Sequence, residues 1–302
     1  MANSKKLISF ITQNIEKYDI NILDLSWPKR LNLSYCDLHL EAKFNGKVYE
    51  GRGTADDFDT ALQIAFVESL ERSVRETKNL ETTNGLAGHS SLEEAIQSSK
   101  NELIERHIFL NYFKSALKFP QAKSYKTNNK INSIINYLKS NNVEVVVSII
   151  EVNNEKHFCL VSLFGFNVAK KFGMIIGSAL TNSEEKSVEK ALTESIRFYV
   201  YIADNPEYGY YDENDFSSLT KPNFEDHGRL ALNLDYAQWF KNTYFDERER
   251  SFIQINQDIN IEVYNDIFTE DIPIKFVRAC SPTMYDLYVG KQANDLKPHP
   301  FR

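Results

Sequence analysis

The chain has 302 residues, 42% hydrophobic and 25% charged, with only 11 Gly and 8 Pro. That composition excludes collagen-like, low-complexity and wholly disordered chains and leaves length for one large domain or two small ones. Lys+Arg 35 against Asp+Glu 42 gives a net charge of -7, the wrong sign for a protein that coats a nucleic-acid backbone. Cys36, Cys159 and Cys280 form no C-x-x-C pair, so neither a disulfide framework nor a zinc ribbon is encoded. The opening Met-Ala-Asn-Ser-Lys-Lys leads into no long apolar run, so no signal peptide or membrane span is expected. A cytoplasmic location, with neither nucleic acid nor membrane as partner, follows as the expectation.

In chain order, Leu7, Ile8, Ile11 and Ile15 form the stripe of a short helix over 7–18. From Leu31 to Thr54 the pattern changes to strand alternation. Asn45-Gly46, the dipeptide that best tolerates positive φ, marks a hairpin there. Residues 1–48 thus read as a short N-terminal helix and hairpin leading into a single domain over 1–302. Long helices are expected at 57–78 and 92–117, the second opened by a capping box, Ser91-x-x-Glu94. Val143–Val152 and His157–Phe166 flank Asn153-Asn154 as a second hairpin, and a third long helix over 184–203 follows Asn182-Ser183. Residues 204–228 carry turn formers and acids without periodicity and read as a long surface loop. Strands near 260–268 and 273–280 precede a proline-containing tail, 296–302.

Three segments share a plan in which a β-like run meets a glycine-containing turn and then a helix. They are GRGTADDFDTALQIAFVESLER (51–72), NGLAGHSSLEEAIQSSKNELIER (84–106) and IGSALTNSEEKSVEKALTESIR (176–197). Gly51 to Glu68, Gly85 to Glu102 and Gly177 to Glu194 are all 17 residues apart. Glu68 and Glu71 share one helix face, and so do Glu102 and Glu105. Four carboxylates brought together repel one another unless a cation or raised pKa values relieve them, and Mg²⁺, a hard cation with oxygen ligands, is the natural relief. Arg72 and Arg106 each follow an acid pair by one residue, and Arg197 and Arg278 are further guanidinium forks for phosphate oxygens. Acids with arginines make a site for Mg²⁺ and a polyphosphate. A single E-x-x-E-R is ordinarily a solvated helix face with internal ion pairs; two copies at matched distance from a glycine reverse that reading. A di-iron bundle wants Glu-x-x-His, whereas position 108 is Ile and His107 is out of register.

These residues resemble the YcaO family, ATP-using enzymes that activate peptide backbone amides. The resemblance runs from about Tyr49 to the C-terminus. It rests on G-R-G with E-S-L-E-R, N-G-L-A-G with E-E-A and E-L-I-E-R, G-S-A-L with A-L-T-E-S-I-R, then VRACSPTMYDLY and the closing PHPFR. It implies an α+β fold with helices and antiparallel sheets around a Mg²⁺-ATP site. Glu68, Glu71, Glu102 and Glu105 match the family's metal ligands. Arg106 and Arg278 match phosphate-binding arginines, Glu94 a nucleotide-contacting acid, and Glu194 lies in the third motif. Arg52 stands in Gly51-Arg52-Gly53 where the family often has Gly-Lys-Gly, keeping the charge but changing its reach. With only Ser73 to Thr83 between the first helix and the next turn, the chain is a minimal version of the family.

The activity implied is phosphorylation of an amide oxygen as a nucleophile adds to the carbonyl carbon, with loss of phosphate then expelling that oxygen. A Cys, Ser or Thr side chain as nucleophile gives azolines, the first reading; a sulfide source gives a thioamide and an amine an amidine, at the same site. A nucleotide-binding scaffold subunit without turnover is the reading from another class. The implied partners are a ribosomally made peptide and a separate leader-binding or sulfur-delivery protein, and a homodimer is allowed. Pro298 and Pro300 resemble the proline-rich end of azoline-forming members, which reaches the active site; plain fraying in solvent is the even alternative.

Overall fold

The computed structural model describes residues 2–25, 27–33, 35–205, 207–264, 268, 272–288 and 297–300. Its elements begin with α1 (Ala2–Gln13), β1 (Asn21–Asp24), α2 (Trp27–Arg30), β2 (Cys36–Phe44), β3 (Lys47–Ala55), α3 (Phe58–Thr77), β4 (Leu86–His89) and α4 (Leu92–Lys114). There follow β5 (Phe119–Pro120), α5 (Asn129–Ser140), β6 (Glu144–Val152), β7 (Lys156–Gly165), β8 (Phe172–Thr181) and α6 (Glu184–Asp204). The last are α7 (Glu213–Ser218), α8 (Phe224–Ala231), α9 (Leu234–Tyr244), β9 (Phe245–Asp246), β10 (Ser251–Ile253), β11 (Asn260–Tyr264) and β12 (Lys275–Cys280). The sequence treats 1–302 as one domain; the packing has two compact units, Met1–Leu103 with Gln257–Met284, and Ile104–Asn256 with Tyr285–Arg302.

In the first unit β1, β2 and β3 form an antiparallel sheet. Asn45 (φ 51°) and Gly46 (φ 80°) supply the hairpin turn as expected. Alternate residues of β2, Leu38, Leu40, Ala42 and Phe44, face a core shared with Leu7 and Ile11 of α1 and Ala61, Ala65, Phe66, Leu70 and Val74 of α3. Each large side chain so buried contributes about 1.5–3 kcal/mol. A Cβ at Gly46 meets nothing within 4 Å, so Gly46→Ala tests conformation alone. A loss of about 1 kcal/mol in urea unfolding is expected, from the positive φ that alanine must adopt. The unit's second sheet has the order β11-β12-β4 and is antiparallel, with Arg278 opposite both Glu262 and Leu86. Helix α1 ends at Gln13, short of the expected 18, because Asn14 to Tyr18 turn through Asn14, Asp19 (φ 47°) and Ile20 contacts back to residues 11–16.

In the second unit β6, β7 and β8 form an antiparallel meander, and β10 adds parallel to β6. Asn153 (φ 54°) and Asn154 (φ 59°) make the β6–β7 turn. Residues 204–228 are not one long loop. Asp212 and Asp215 form a capping box that starts α7, and Asn223 and Asp226 form another that starts α8. The residues that read as turn formers are helix caps, because a short Asp or Asn side chain satisfies the first free amides of a helix as readily as those of a turn. The tail does not fray over its described part: Pro298, His299 and Pro300 are buried. Tyr236 donates its hydroxyl to the Pro298 carbonyl, His227 Nδ1 donates to the His299 carbonyl at 2.6 Å, and the two imidazoles stack with centroids 4.2 Å apart. Phe301-Arg302 of the closing motif lies outside the described residues. No described helix is long and apolar enough to cross a membrane.

Candidate functional site

The first unit's share of the acids is built by a strand and the helix that follows it. Asp57 caps α3, accepting the Thr60 amide at 2.9 Å. The helix then runs back along β3 at very close range: an added Cβ at Gly51 would lie 1.9 Å from the Ala65 carbonyl oxygen, and at Gly53 1.8 Å from that of Ala61. These glycines sit within the strand rather than in a turn, and their role is to let helix backbone meet strand backbone. That approach brings the Arg52 amide to Glu68, whose Oε2 accepts it at 2.8 Å. Glu68 Oε1 also accepts from Arg72 Nη2 at 3.0 Å, the pair one helical turn apart.

Glu71, a turn further along α3, accepts the Gly88 amide of β4 on Oε1 at 2.6 Å. Its carboxyl is held well above the usual range, first by burial and then by the charges of Glu102 and Glu68. Glu102 and Glu68 thus act electrostatically on Glu71, and the three are not among the acids whose ligand atoms all lie within 4.8 Å of one another. The trio of His, Cys, Asp or Glu ligand atoms all within 4.8 Å of one another among the described residues is His39, Glu41 and Glu50. There Glu50 is exposed and Arg72 Nη1 stands 3.9 Å from its carboxylate, so a guanidinium already supplies positive charge. Glu68 and Glu71 are each tied to a backbone donor, Glu68 to the Arg52 amide and Glu71 to that of Gly88.

The other sequence-predicted groups of this unit have mixed placements. Arg52 folds its guanidinium onto fully buried Asp37, through Nε at 3.1 Å and through Nη2; Asp37 also accepts from Trp27 Nε1 at 2.5 Å and Thr54 Oγ1 at 2.7 Å. Glu94 is exposed, with a carboxylate oxygen 2.9 Å from His89 Nδ1. The capping box is therefore half of what the sequence expects: Ser91 Oγ accepts the Glu94 amide at 3.5 Å, while the Ser91 amide goes to His89 Nδ1 at 3.3 Å. Arg278, half-buried on β12, faces the phenol of Tyr264. That phenol is pushed up to about 12, first by burial and then by Glu262; Arg278 acts in the opposite sense.

In the second unit α4 carries Glu105 and Arg106, and β8 with α6 carries Ser178, Glu194 and Arg197. Gly177 repeats the strand–helix approach of Gly51, its added Cβ falling 2.3 Å from the Ala191 carbonyl oxygen. The residue after it again donates its amide to a glutamate, Ser178 to Glu194 Oε2 at 2.9 Å. Gly85 differs: it has φ 70° and its Cβ would meet the Ala279 carbonyl oxygen at 2.3 Å, so the third matched spacing comes from a turn and not from a strand glycine. Burial raises the Glu194 carboxyl, with Arg106 opposing and Glu105 adding to the shift.

Glu105 Oε1 accepts the Ser178 hydroxyl at 2.6 Å and Arg106 Nη1 at 2.9 Å, and its Oε2 accepts the Leu180 amide at 3.2 Å. Sequence reasoning passes over Ser178, although its place one residue after a spaced glycine, like that of Arg52, is a usable signal. His107 is buried in this unit and accepts the Tyr285 amide on Nδ1, away from any metal-ligand role. Within each unit, carboxylate oxygens held by backbone amides with guanidiniums alongside suit a hard cation and phosphate oxygens.

A family model described as YcaO cyclodehydratase, ATP- and Mg²⁺-binding, matches residues 62–285. No curated protein matches the chain. Among solved structures, YcaO from Methanopyrus kandleri bound with AMPPCP and Mg²⁺ is similar at a TM-score of 0.62 and 11% identity, over 92% of this chain and 90% of that one. The E. coli microcin synthetase McbBCD complex is similar at 0.57 and 14% identity, over 88% and 93%. A heterocyclase in complex with substrate and cofactor gives 0.58 at 12% identity, over 90% of this chain and 52% of that one. At these identities the structural likeness speaks for the fold.

Proposed function

We propose that this chain, which belongs to the YcaO family and so to an ATP- and Mg²⁺-binding one, modifies the backbone amides of a ribosomally made peptide, forming azolines from Cys, Ser or Thr. Thioamide or amidine formation at the same site is the chemical neighbour of this reading, decided by which nucleophile reaches the carbonyl. The observation that carries the ATP reading is Glu71, a carboxyl raised by burial and by the charges of Glu102 and Glu68, which is the electrostatic condition a bound divalent cation relieves.

In this reading Glu68, Glu71, Glu102 and Glu105 offer oxygens to Mg²⁺, and Arg106, Arg197 and Arg278 meet phosphate oxygens, with Arg52 and Arg72 near the first acids. Glu94 contacts the nucleotide, turning from its place beside His89 to do so. Glu194 holds the Ser178 amide and so the end of β8 in place. ATP supplies, when bound, the phosphoryl group that makes the amide oxygen a leaving group. The protein's part is positioning and electrostatic stabilisation, with no nucleophile of its own. Pro298 and Pro300, in a docked tail, are proposed to set the substrate end of the site. A separate protein that delivers the peptide is the proposed partner, and a homodimer the proposed assembly.

The test is calorimetric titration of Mg²⁺ with a non-hydrolysable ATP analogue into the parent protein and into Glu68→Gln, Glu102→Gln. The parent binds and the double variant loses at least ~100-fold in affinity. A folded parent that does not bind with Mg²⁺ present overturns the reading, and a scaffold role takes its place.

A further inference from the structure

Glu105 has an unusually complete set of partners for a metal ligand. An ionised carboxylate offers roughly four lone-pair directions. On Oε1 two are taken, by the Ser178 hydroxyl at 2.6 Å and Arg106 Nη1 at 2.9 Å; on Oε2 one is taken, by the Leu180 amide at 3.2 Å. A single direction on Oε2 is left for a cation, which suits the monodentate, well-ordered ligation that Mg²⁺ demands. The same Ser178 oxygen accepts from Arg106 Nη1 at 3.1 Å, so one hydroxyl orients both the acid and the arginine. Ser178 is itself fixed: it is 6% exposed, and its amide is held by Glu194.

We infer that Ser178 is a positioning residue for the Mg²⁺-nucleotide site, acting through Glu105 and Arg106 and touching neither metal nor nucleotide. The inference rests on the ATP reading above. Removing the hydroxyl frees Oε1 of Glu105 to rotate toward Arg106 alone, and the carboxylate no longer presents one fixed lone pair. Outer partners of this kind change metal affinity by about 10–100-fold.

The experiment measures Mn²⁺ binding by electron paramagnetic resonance at saturating non-hydrolysable ATP analogue, for the parent, Ser178→Ala and Ser178→Cys. Thermal midpoints are taken without metal or nucleotide. The expected result is a ~10-fold or greater loss of Mn²⁺ affinity in both folded variants, with midpoints lowered by only a few degrees. Either variant folded and within about twofold of the parent's affinity overturns the inference. So does loss of folding in both variants, which makes the hydroxyl structural. A parent that binds no Mn²⁺ with the analogue overturns the ATP reading instead, and the parent measurement separates the two failures.

Discussion

Replacing Gly53 by alanine is expected to destabilise the first unit severely. The new Cβ would stand 1.8 Å from the Ala61 carbonyl oxygen and 2.7 Å from the Ala65 amide nitrogen. Those atoms are helix backbone, so no rotamer change clears the clash; β3 and α3 must move apart. Separation strips the Arg52 amide from Glu68 and opens the core that Leu38, Leu40, Ala65 and Phe66 share. The cost is expected at or beyond the ~3 kcal/mol end of the range for overpacking, against a total stability of about 5–15 kcal/mol. Circular dichroism and urea unfolding measure it, with Gly46→Ala as the reference for a glycine that has open space. A Gly53→Ala midpoint equal to that of Gly46→Ala would show that strand and helix yield more easily than their backbones suggest. The same change at Gly51, 1.9 Å from the Ala65 carbonyl oxygen, should behave alike.

Glu71→Gln is expected to stabilise the metal-free protein at neutral pH while weakening Mg²⁺-nucleotide binding. The folded-state pKa of Glu71 lies well above its ordinary 4.5, so the native state holds this proton more tightly than the unfolded chain does. The group's favourable contribution is therefore complete below the unfolded value. It declines as pH rises from about 4.5 toward the raised value and is absent above it. Glutamine has no proton to lose and keeps its stability across that window. Thermal midpoints of the two proteins should thus agree near pH 4 and separate as pH rises, glutamine the higher. Addition of Mg²⁺ with an ATP analogue should reverse the order, since only the parent gains a ligand-bound state. A constant difference from acid to neutral pH would remove Glu71 as the strained acid.

How much of this was legible in the sequence varies with the kind of signal. Asn45-Gly46 marks its hairpin because few dipeptides tolerate two positive φ values, and the long helices at 58–77, 92–114 and 184–204 follow their apolar periodicity to within a few residues. Helix α5 is absent from the elements expected of the sequence although Ile131, Ile134, Ile135 and Leu138 carry a clear helical stripe, all four buried. Helices α7 and α8 were hidden by their own caps. The spacing of 17 was visible, but not its cause: the offsets from Gly51 to Ala65 and Ser69 recur from Gly177 to Ala191 and Ser195, as one strand lies against the helix after it. The acids of the motif are legible from their spacing together with the family resemblance. Of their partners, Ser178 has a local signal in its place after Gly177, whereas Gly88 and Leu180 come from strands brought alongside only by folding and nothing local announces them.

β3, β4 and β8 are each the outermost strand of their sheet, and the amides that Glu68, Glu71, Glu105 and Glu194 accept are those of Arg52, Gly88, Leu180 and Ser178 on these strands. An unpaired outer strand is a template on which another chain can add itself, and a negative side chain laid across its amides blocks that growth. These four glutamates, three of them proposed ligands of the cation, therefore double as guards against self-association. Variants that neutralise several of them at once should be checked for oligomers by light scattering before any loss of activity is ascribed to the missing ligand.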